Sequence, residues 1–113
     1  MKKRLLVGLI GVWATTVMAH SPLERTNPMN EATIVEVPSE VFLEFNGGIR
    51  LTRVTMTYAD DDSVDLNLGD DAGFVSSYSI SMPPMGNGVY VIDWRGLGTD
   101  GHAMNGTFRF IVE

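Results

Sequence analysis

The sequence predicts an all-β domain, a seven-stranded antiparallel β-sandwich of immunoglobulin-like or Greek-key type. In several short segments apolar side chains recur at every second residue, which is typical of strands buried on one face. These segments are separated by turns rich in Gly, Pro, Asn and Asp. From residue 20 onward no stretch of about ten residues has the apolar spacing of an amphipathic helix. About seven strands fit into this length, and a sandwich is the usual arrangement for them.

Residues 1–19 precede the strands and have the pattern of a secretory signal peptide. Basic residues at positions 2–4 are followed by an apolar stretch, and small or compact side chains lie three and one residues before a cut after Ala19. The alternative is an uncleaved transmembrane anchor, but the segment from Leu5 to Ala19 has only 15 residues, against the roughly 20 that cross a bilayer core. We therefore expect cleavage after Ala19, export out of the cytoplasm, and one mature domain of residues 20–113.

Three segments alternate most clearly, and each predicts a half-buried strand. Between Ile49 and Tyr58 the alternation changes phase, so we expect a β-bulge or a change of sheet near Thr52 and Arg53. The apolar faces of the three segments are formed by Val41, Leu43 and Phe45, by Val64, Leu66 and Leu68, and by Phe108, Phe110 and Val112.

The segment 88–95 is apolar at nearly every position, which predicts a central strand. Tyr90 and Trp94 share a parity with Ile92, so we expect both aromatic rings in the core. This strand leads directly into the turn that carries the second of the two histidines of the chain.

Composition excludes several kinds of function. The chain contains no cysteine, which excludes disulfides, a thiolate zinc site and a thiol nucleophile. Its formal charge is −6, and removal of residues 1–19 leaves five basic and fourteen acidic side chains, a charge of −9. Nucleic-acid binding needs Lys and Arg to neutralise phosphates, so we expect no nucleic acid as a partner. A cation or a protein is the expected partner.

The two histidines point to a metal site. After cleavage at Ala19, His20 is the first residue and offers its α-amine and its imidazole Nδ1 to one ion. Asp100 and His102 are two residues apart, so in extended chain both side chains project from the same face. Three nitrogens and one carboxylate oxygen, without sulfur, suit a square-planar Cu(II) centre, one per chain. The alternative is that Asp-Gly-His is a structural turn, since Asp and Gly are common turn formers.

Several motifs of residues 20–113 are shared with one known family. They are His20-Ser21-Pro22-Leu23, Thr26-Asn27-Pro28, the segments 41–45 and 50–52, and the C-terminal segments 88–95, 99–102 and 106–110. The chain resembles the copper-resistance protein C (CopC) family, whose members are periplasmic copper-binding sandwiches. The most specific part of the resemblance is C-terminal: a Tyr strand, a Trp-Arg pair, an Asp-x-His turn and a Gly-x-Phe-x-Phe strand. The resemblance implies Cu(II) ligation by the amine and imidazole of His20, the carboxylate of Asp100 and the imidazole of His102.

The sequence departs from the family in two places. Some members bind Cu(I) through a methionine-rich segment with a histidine, whereas the matching segment 59–63 has neither residue. Because Cu(I) selects thioethers, the chain resembles the branch that binds Cu(II) only. Members often carry a glutamate near the copper after the Phe of the second strand, where this chain has Asn46 and Gly47. Met82 and Met85 are the remaining candidate soft ligands, although packing is the commoner role of methionines on a turn.

The predicted function is copper binding in resistance, homeostasis or delivery, without catalysis. Four protein ligands in one plane leave only weak axial positions, and no general base or nucleophile accompanies them. The alternatives are an oxidative copper enzyme with an N-terminal histidine brace, and a metal-free interaction module. The resemblance implies an inner-membrane copper transporter of the CopD type as partner, and we expect a monomer.

Overall fold

A computed structural model describes residues 22–69 and 73–113, which form seven β-strands and no helix. The predicted signal peptide, its cleavage site and His20 lie outside these residues. The all-β prediction is confirmed, and no helix in the described ranges has the length and apolarity needed to cross a membrane. The strands are β1 (Leu23–Asn27), β2 (Ala32–Ile34), β3 (Glu40–Tyr58), β4 (Val64–Asp65), β5 (Val75–Ser81), β6 (Gly88–Gly98) and β7 (Ala103–Val112).

The longest strand, β3, belongs to both layers of the sandwich. Its first part pairs with β1 and β5, and its second part pairs with β6 and β4. The second layer continues from β6 through β7 to β2. Ile49 pairs with Val75 of β5 and with Gly98 of β6, so the chain passes from one layer to the other at this residue. The hydroxyl of Tyr78 donates to the carbonyl of Ile49 and accepts from the amide of Leu51 at 3.2 Å, which holds this crossing.

The β-bulge predicted near Thr52 and Arg53 is confirmed. Leu51 pairs with Gly96 and Arg53 pairs with Arg95, so Thr52 is the extra residue in the β3–β6 ladder. One extra residue reverses the parity of the side chains that follow it. This explains why the apolar alternation of β3 changes phase along the sequence.

Two details of the strands differ from the prediction. β2 pairs with β7 in parallel. Just before β2, Glu31 N donates to the Arg109 carbonyl at 2.7 Å and Arg109 N donates to Asn30 Oδ1 at 3.0 Å, so the chain is already attached to β7 where β2 begins. The strand expected over residues 64–68 is reduced to the two residues of β4. Val64 is exposed at this sheet edge, while Leu66 is buried.

Aromatic rings join the two layers in the core. Phe45 of the first layer packs edge-on against Trp94 of the second, with ring centroids 5.0 Å apart. Tyr90 stacks on Phe110 at 5.1 Å. Tyr90, Ile92 and Trp94 are at most 1% exposed, so the predicted core face of the central strand is confirmed. β6 lies between β3 and β7, and the Asp-Gly-His turn follows its C-terminal end.

Candidate metal centre

The turn between β6 and β7 carries Asp100 and His102 at one end of the sandwich. The last ladder pair before the turn is Leu97 with Ala103. The Gly101 amide donates to the Gly98 carbonyl at 2.9 Å, and the Gly98 amide donates to the His102 carbonyl at 2.9 Å. Gly101 has a φ of 85°, which a residue without a Cβ adopts readily. These contacts give the turn a defined backbone on which the two side chains are presented.

Asp100 and His102 contact each other. Asp100 Oδ1 accepts from the His102 amide at 3.0 Å, and Asp100 Oδ2 lies 2.8 Å from His102 Nδ1. The side chains are 62% and 80% exposed, respectively. The first contact is an Asx-type turn, in which an Asp oxygen accepts from a backbone amide two residues later. Both side chains are therefore held by the turn itself and open to solvent.

The pair shifts the ionisation of both of its members. The hydrogen bond from the His102 side chain, followed by that from its backbone amide, lowers the pKa of Asp100. The hydrogen bond to the Asp100 carboxylate raises the pKa of His102. Each shift has the sign expected when an ion pair stabilises both charged forms. The turn thus favours a carboxylate beside an imidazolium over a wider pH range than two separate residues would.

The chemistry of this pair fits a nitrogen- and oxygen-binding metal ion. When Nδ1–H donates to the carboxylate, Nε2 is the unprotonated nitrogen and faces away from Asp100, as in many metal-bound histidines. Rotation of either side chain instead exposes a carboxylate oxygen and an imidazole nitrogen together. Within residues 22–69 and 73–113, no group of three or more His, Cys, Asp or Glu is assembled for a metal. The turn therefore brings together two of the three predicted ligand residues, and the third, His20, is outside the described ranges.

The described chain begins at the same end of the sandwich as the turn. The Pro22 carbonyl accepts from the Asn46 amide at 2.6 Å, and Leu23 pairs with Phe45. Three residues after Asn46, Ile49 pairs with Gly98, two residues before Asp100. Asn46 and Gly47, which stand where the family often has a glutamate, are therefore located between the first described residues and the turn.

The two methionines considered as soft ligands lie elsewhere. Met82 is 5% exposed and belongs to the core, and the Met85 amide donates to the Tyr90 hydroxyl at 3.1 Å near the start of β6. The turn follows the other end of β6, and a strand of this length spans roughly 30 Å. Met85 is therefore too far from Asp100 to share a metal with it, and Met82 is a buried packing residue.

Sequence reasoning missed a third methionine, Met104. Its thioether and the Asp100 carboxylate both approach the backbone of Gly98. The available signal was its position two residues after His102, at the start of β7.

The resemblance to the CopC family that the sequence motifs predicted is confirmed by comparison with known proteins. Residues 23–113 match the CopC domain, and the chain belongs to the CopC family. The chain is 27% identical to copper resistance protein C of Escherichia coli over 122 residues, which cover 99% of this chain and 96% of that protein.

Solved structures show the same fold. CopC from Methylosinus trichosporium OB3b matches with a TM-score of 0.70 at 24% identity, covering 83% of this chain and 94% of that chain. PcoC, a methionine-rich copper resistance protein from Escherichia coli, matches with a TM-score of 0.56 at 24% identity, covering 84% of this chain and 100% of that chain. These relatives are named as copper resistance proteins, not as enzymes.

Proposed function

We propose that the protein binds one Cu(II) ion at the end of the sandwich that carries the β6–β7 turn. The ligands are the α-amine and imidazole of His20, the carboxylate of Asp100 and the imidazole of His102. The observation that carries the proposal is the Asp100–His102 pair, which is ordered by its own turn and exposed to solvent. Copper resistance, homeostasis or delivery is the role that this site serves.

The position of Pro22, the first described residue, supports His20 as a copper ligand. Only Ser21 separates His20 from Pro22, whose carbonyl is bonded to Asn46 near the Ile49–Gly98 pair. Two extended residues span about 7 Å, and the imidazole adds to this reach. This short connection to Pro22 supports His20 as a ligand at the end of the sandwich that carries Asp100 and His102.

The donor set favours Cu(II) over other ions and over Cu(I). Nitrogen and carboxylate ligands in a plane suit Cu(II), which also has the highest affinity in the divalent first-row series. The segment 59–63, where some relatives have a methionine-rich Cu(I) site, contains three aspartates and no methionine or histidine. Binding without catalysis follows, because the plane is filled by protein donors and no general base stands beside it.

Export is part of the proposal. The α-amine of His20 exists as a donor only after cleavage at Ala19, so the site is completed when the signal peptide is removed in the periplasm. By family resemblance, the partner that receives or supplies copper is an inner-membrane transporter of the CopD type. The domain acts as a monomer with one copper ion.

Replacing His102 with Ala tests the site. The mature His102→Ala protein should remain folded, because the side chain is exposed, and should bind Cu(II) more weakly by orders of magnitude, because one nitrogen of the plane is lost. Isothermal competition with a Cu(II) chelator and electron paramagnetic resonance measure the change. Thr99→Ala, in the same turn, is the matched control and should bind like the wild type. A wild-type spectrum and affinity for His102→Ala would overturn the assignment.

A further inference from the structure

Two side chains of different chemistry meet over Gly98, the last residue of β6. A Cβ atom at Gly98 would lie 2.9 Å from Met104 Cε, 3.7 Å from Met104 Sδ and 3.2 Å from Asp100 Oδ1. The two shortest of these contacts are too close for any larger residue without displacement of its neighbours. Glycine at position 98 therefore provides the space in which a thioether and a predicted ligand carboxylate lie against the same stretch of backbone.

Met104 reaches this space from the core side of the sandwich. It pairs with Gly96 across the β6–β7 ladder and packs, partly buried, against the hydrophobic core. Asp100 and His102 are on the solvent side, where most of each side chain is exposed. The partly buried thioether and the exposed carboxylate thus lie close to the same point on the backbone of Gly98.

We propose that the Met104 thioether is an axial donor to the copper ion, a role that rests on the proposed Cu(II) site. Nitrogen and carboxylate donors fill the plane of a tetragonal Cu(II) ion, so a sulfur donor outside that plane can make only a long, weak contact. Thioethers bind Cu(I) better than Cu(II), because Cu(I) is the softer ion. Met104 therefore makes the bound ion easier to reduce. Reduction adds one electron to Cu(II), supplied by an external reductant such as ascorbate, and gives Cu(I).

The test compares mature Met104→Leu with wild type and with Met85→Leu. Leucine has nearly the volume of methionine and no sulfur, so the packing against the core is kept. Met85 lies at the far end of β6 and is the matched control. The Cu(II) and Cu(I) affinities are each measured by chelator competition, the latter under ascorbate, and the Cu(II) form is examined by electron paramagnetic resonance.

Met104→Leu should lower the ratio of Cu(I) to Cu(II) affinity about tenfold, equivalent to 59 mV in a one-electron midpoint potential, and should change the copper hyperfine splitting. Met85→Leu should change neither quantity. X-ray absorption of the reduced wild-type protein provides a second measurement that needs no variant, and it should contain a sulfur scatterer that Met104→Leu lacks.

Two results would overturn the proposal in distinguishable ways. If wild type binds one Cu(II) through the predicted plane but Met104→Leu has the same affinity ratio, hyperfine splitting and absorption spectrum, Met104 is only a packing residue and the Cu(II) site stands. If wild type binds no stoichiometric Cu(II), the proposed site and the role of Met104 fail together.

Discussion

At the scale of single residues, Asp100 controls the protonation of His102 in the copper-free protein. The ion pair raises the pKa of His102 and lowers that of Asp100. A raised imidazole pKa favours the folded state below the ordinary value of 6.5, and this contribution is lost as the pH rises through the folded-state pKa. A lowered carboxyl pKa stabilises the folded state above the ordinary value of 3.8, and this stabilisation is lost as the pH falls through the folded-state pKa. Since both side chains are exposed, solvent keeps these contributions to stability small.

The substitution Asp100→Asn tests this coupling. Asparagine keeps the shape of the side chain and removes its charge, so the pKa of His102 should fall towards the ordinary value of 6.5. Nuclear magnetic resonance titration of the His102 imidazole in copper-free protein measures the shift. Asp93→Asn is the control, because Asp93 accepts from Thr107 on the strands and not from the turn. An unchanged His102 titration in Asp100→Asn would show that the pair does not form in solution.

The same coupling bears on the proposed copper site. If His102 is a ligand, a metal ion has to displace its proton, and a raised pKa extends this competition to higher pH. The α-amine of His20 has a reference pKa of roughly 7.7 to 8.0 and competes for protons as well. Cu(II) affinity should therefore fall progressively as the medium is acidified below about pH 6, the imidazole reference value being roughly 6.5.

At the scale of the strands, Trp94 and Gly106 make a close contact within the β6–β7 ladder. These two residues are paired in the ladder, and the indole ring lies over the glycine. The indole Nε1 is buried and has no hydrogen-bond partner among the described residues, so the ring is held by packing alone. The position of the ring therefore depends on the absence of a side chain at residue 106.

The substitution Gly106→Ala should destabilise the domain. The new Cβ would lie 2.7 Å from Trp94 Nε1 and 2.9 Å from Cε2 and Cζ2, so the indole must move within a packed core. Overpacking of this kind costs about 1–3 kcal/mol in the free energy of unfolding. Urea denaturation followed by tryptophan fluorescence measures it. At Gly73 a Cβ would meet nothing within 4 Å, so Gly73→Ala should be close to neutral. Equal unfolding midpoints for the two variants would contradict the packing argument.

At the scale of the whole molecule, two distant parts of the chain converge at one end of the sandwich. Pro22 is bonded to Asn46 at the crossing of β3, and Ile49 pairs with Gly98 just before the turn. The proposed copper site is thus assembled by the sandwich as a whole, from the entry of its first strand and the turn between its last two antiparallel strands.

The start of the mature chain provides the corresponding test. Three proteins are compared: one that begins at His20, one with an additional Ala before His20, and one that begins at Met18. An extension converts the α-amine into an amide, a very poor copper donor at neutral pH, so both extended proteins should bind Cu(II) more weakly and with an altered electron paramagnetic resonance spectrum. If all three bind equally tightly with one spectrum and one pH dependence, the amine of His20 is not a ligand.

The sequence by itself determined the buried faces of the long strands and the positions of the main turns. Alternation with a period of two predicted the core faces of β3, β6 and β7, and its change of phase predicted the bulge at Thr52. The Asp-Gly-His spacing predicted that Asp100 and His102 face the same region, and the structure places them 2.8 Å apart. These features depend on residues near one another in the chain, so local patterns contain the information.

Only the tertiary structure decided which strands are neighbours and what lies around the turn. The parallel pairing of β2 with β7, the reduction of β4 to two residues, and the approach of Met104 and Asp100 to Gly98 all depend on partners that periodicity does not identify. Alternation of apolar residues indicates that one face of a strand is buried, but it does not identify the strand or loop that packs against that face. The convergence of Pro22 with the β6–β7 turn depends in the same way on pairing through β3, because a strand shared by both layers brings the two segments together.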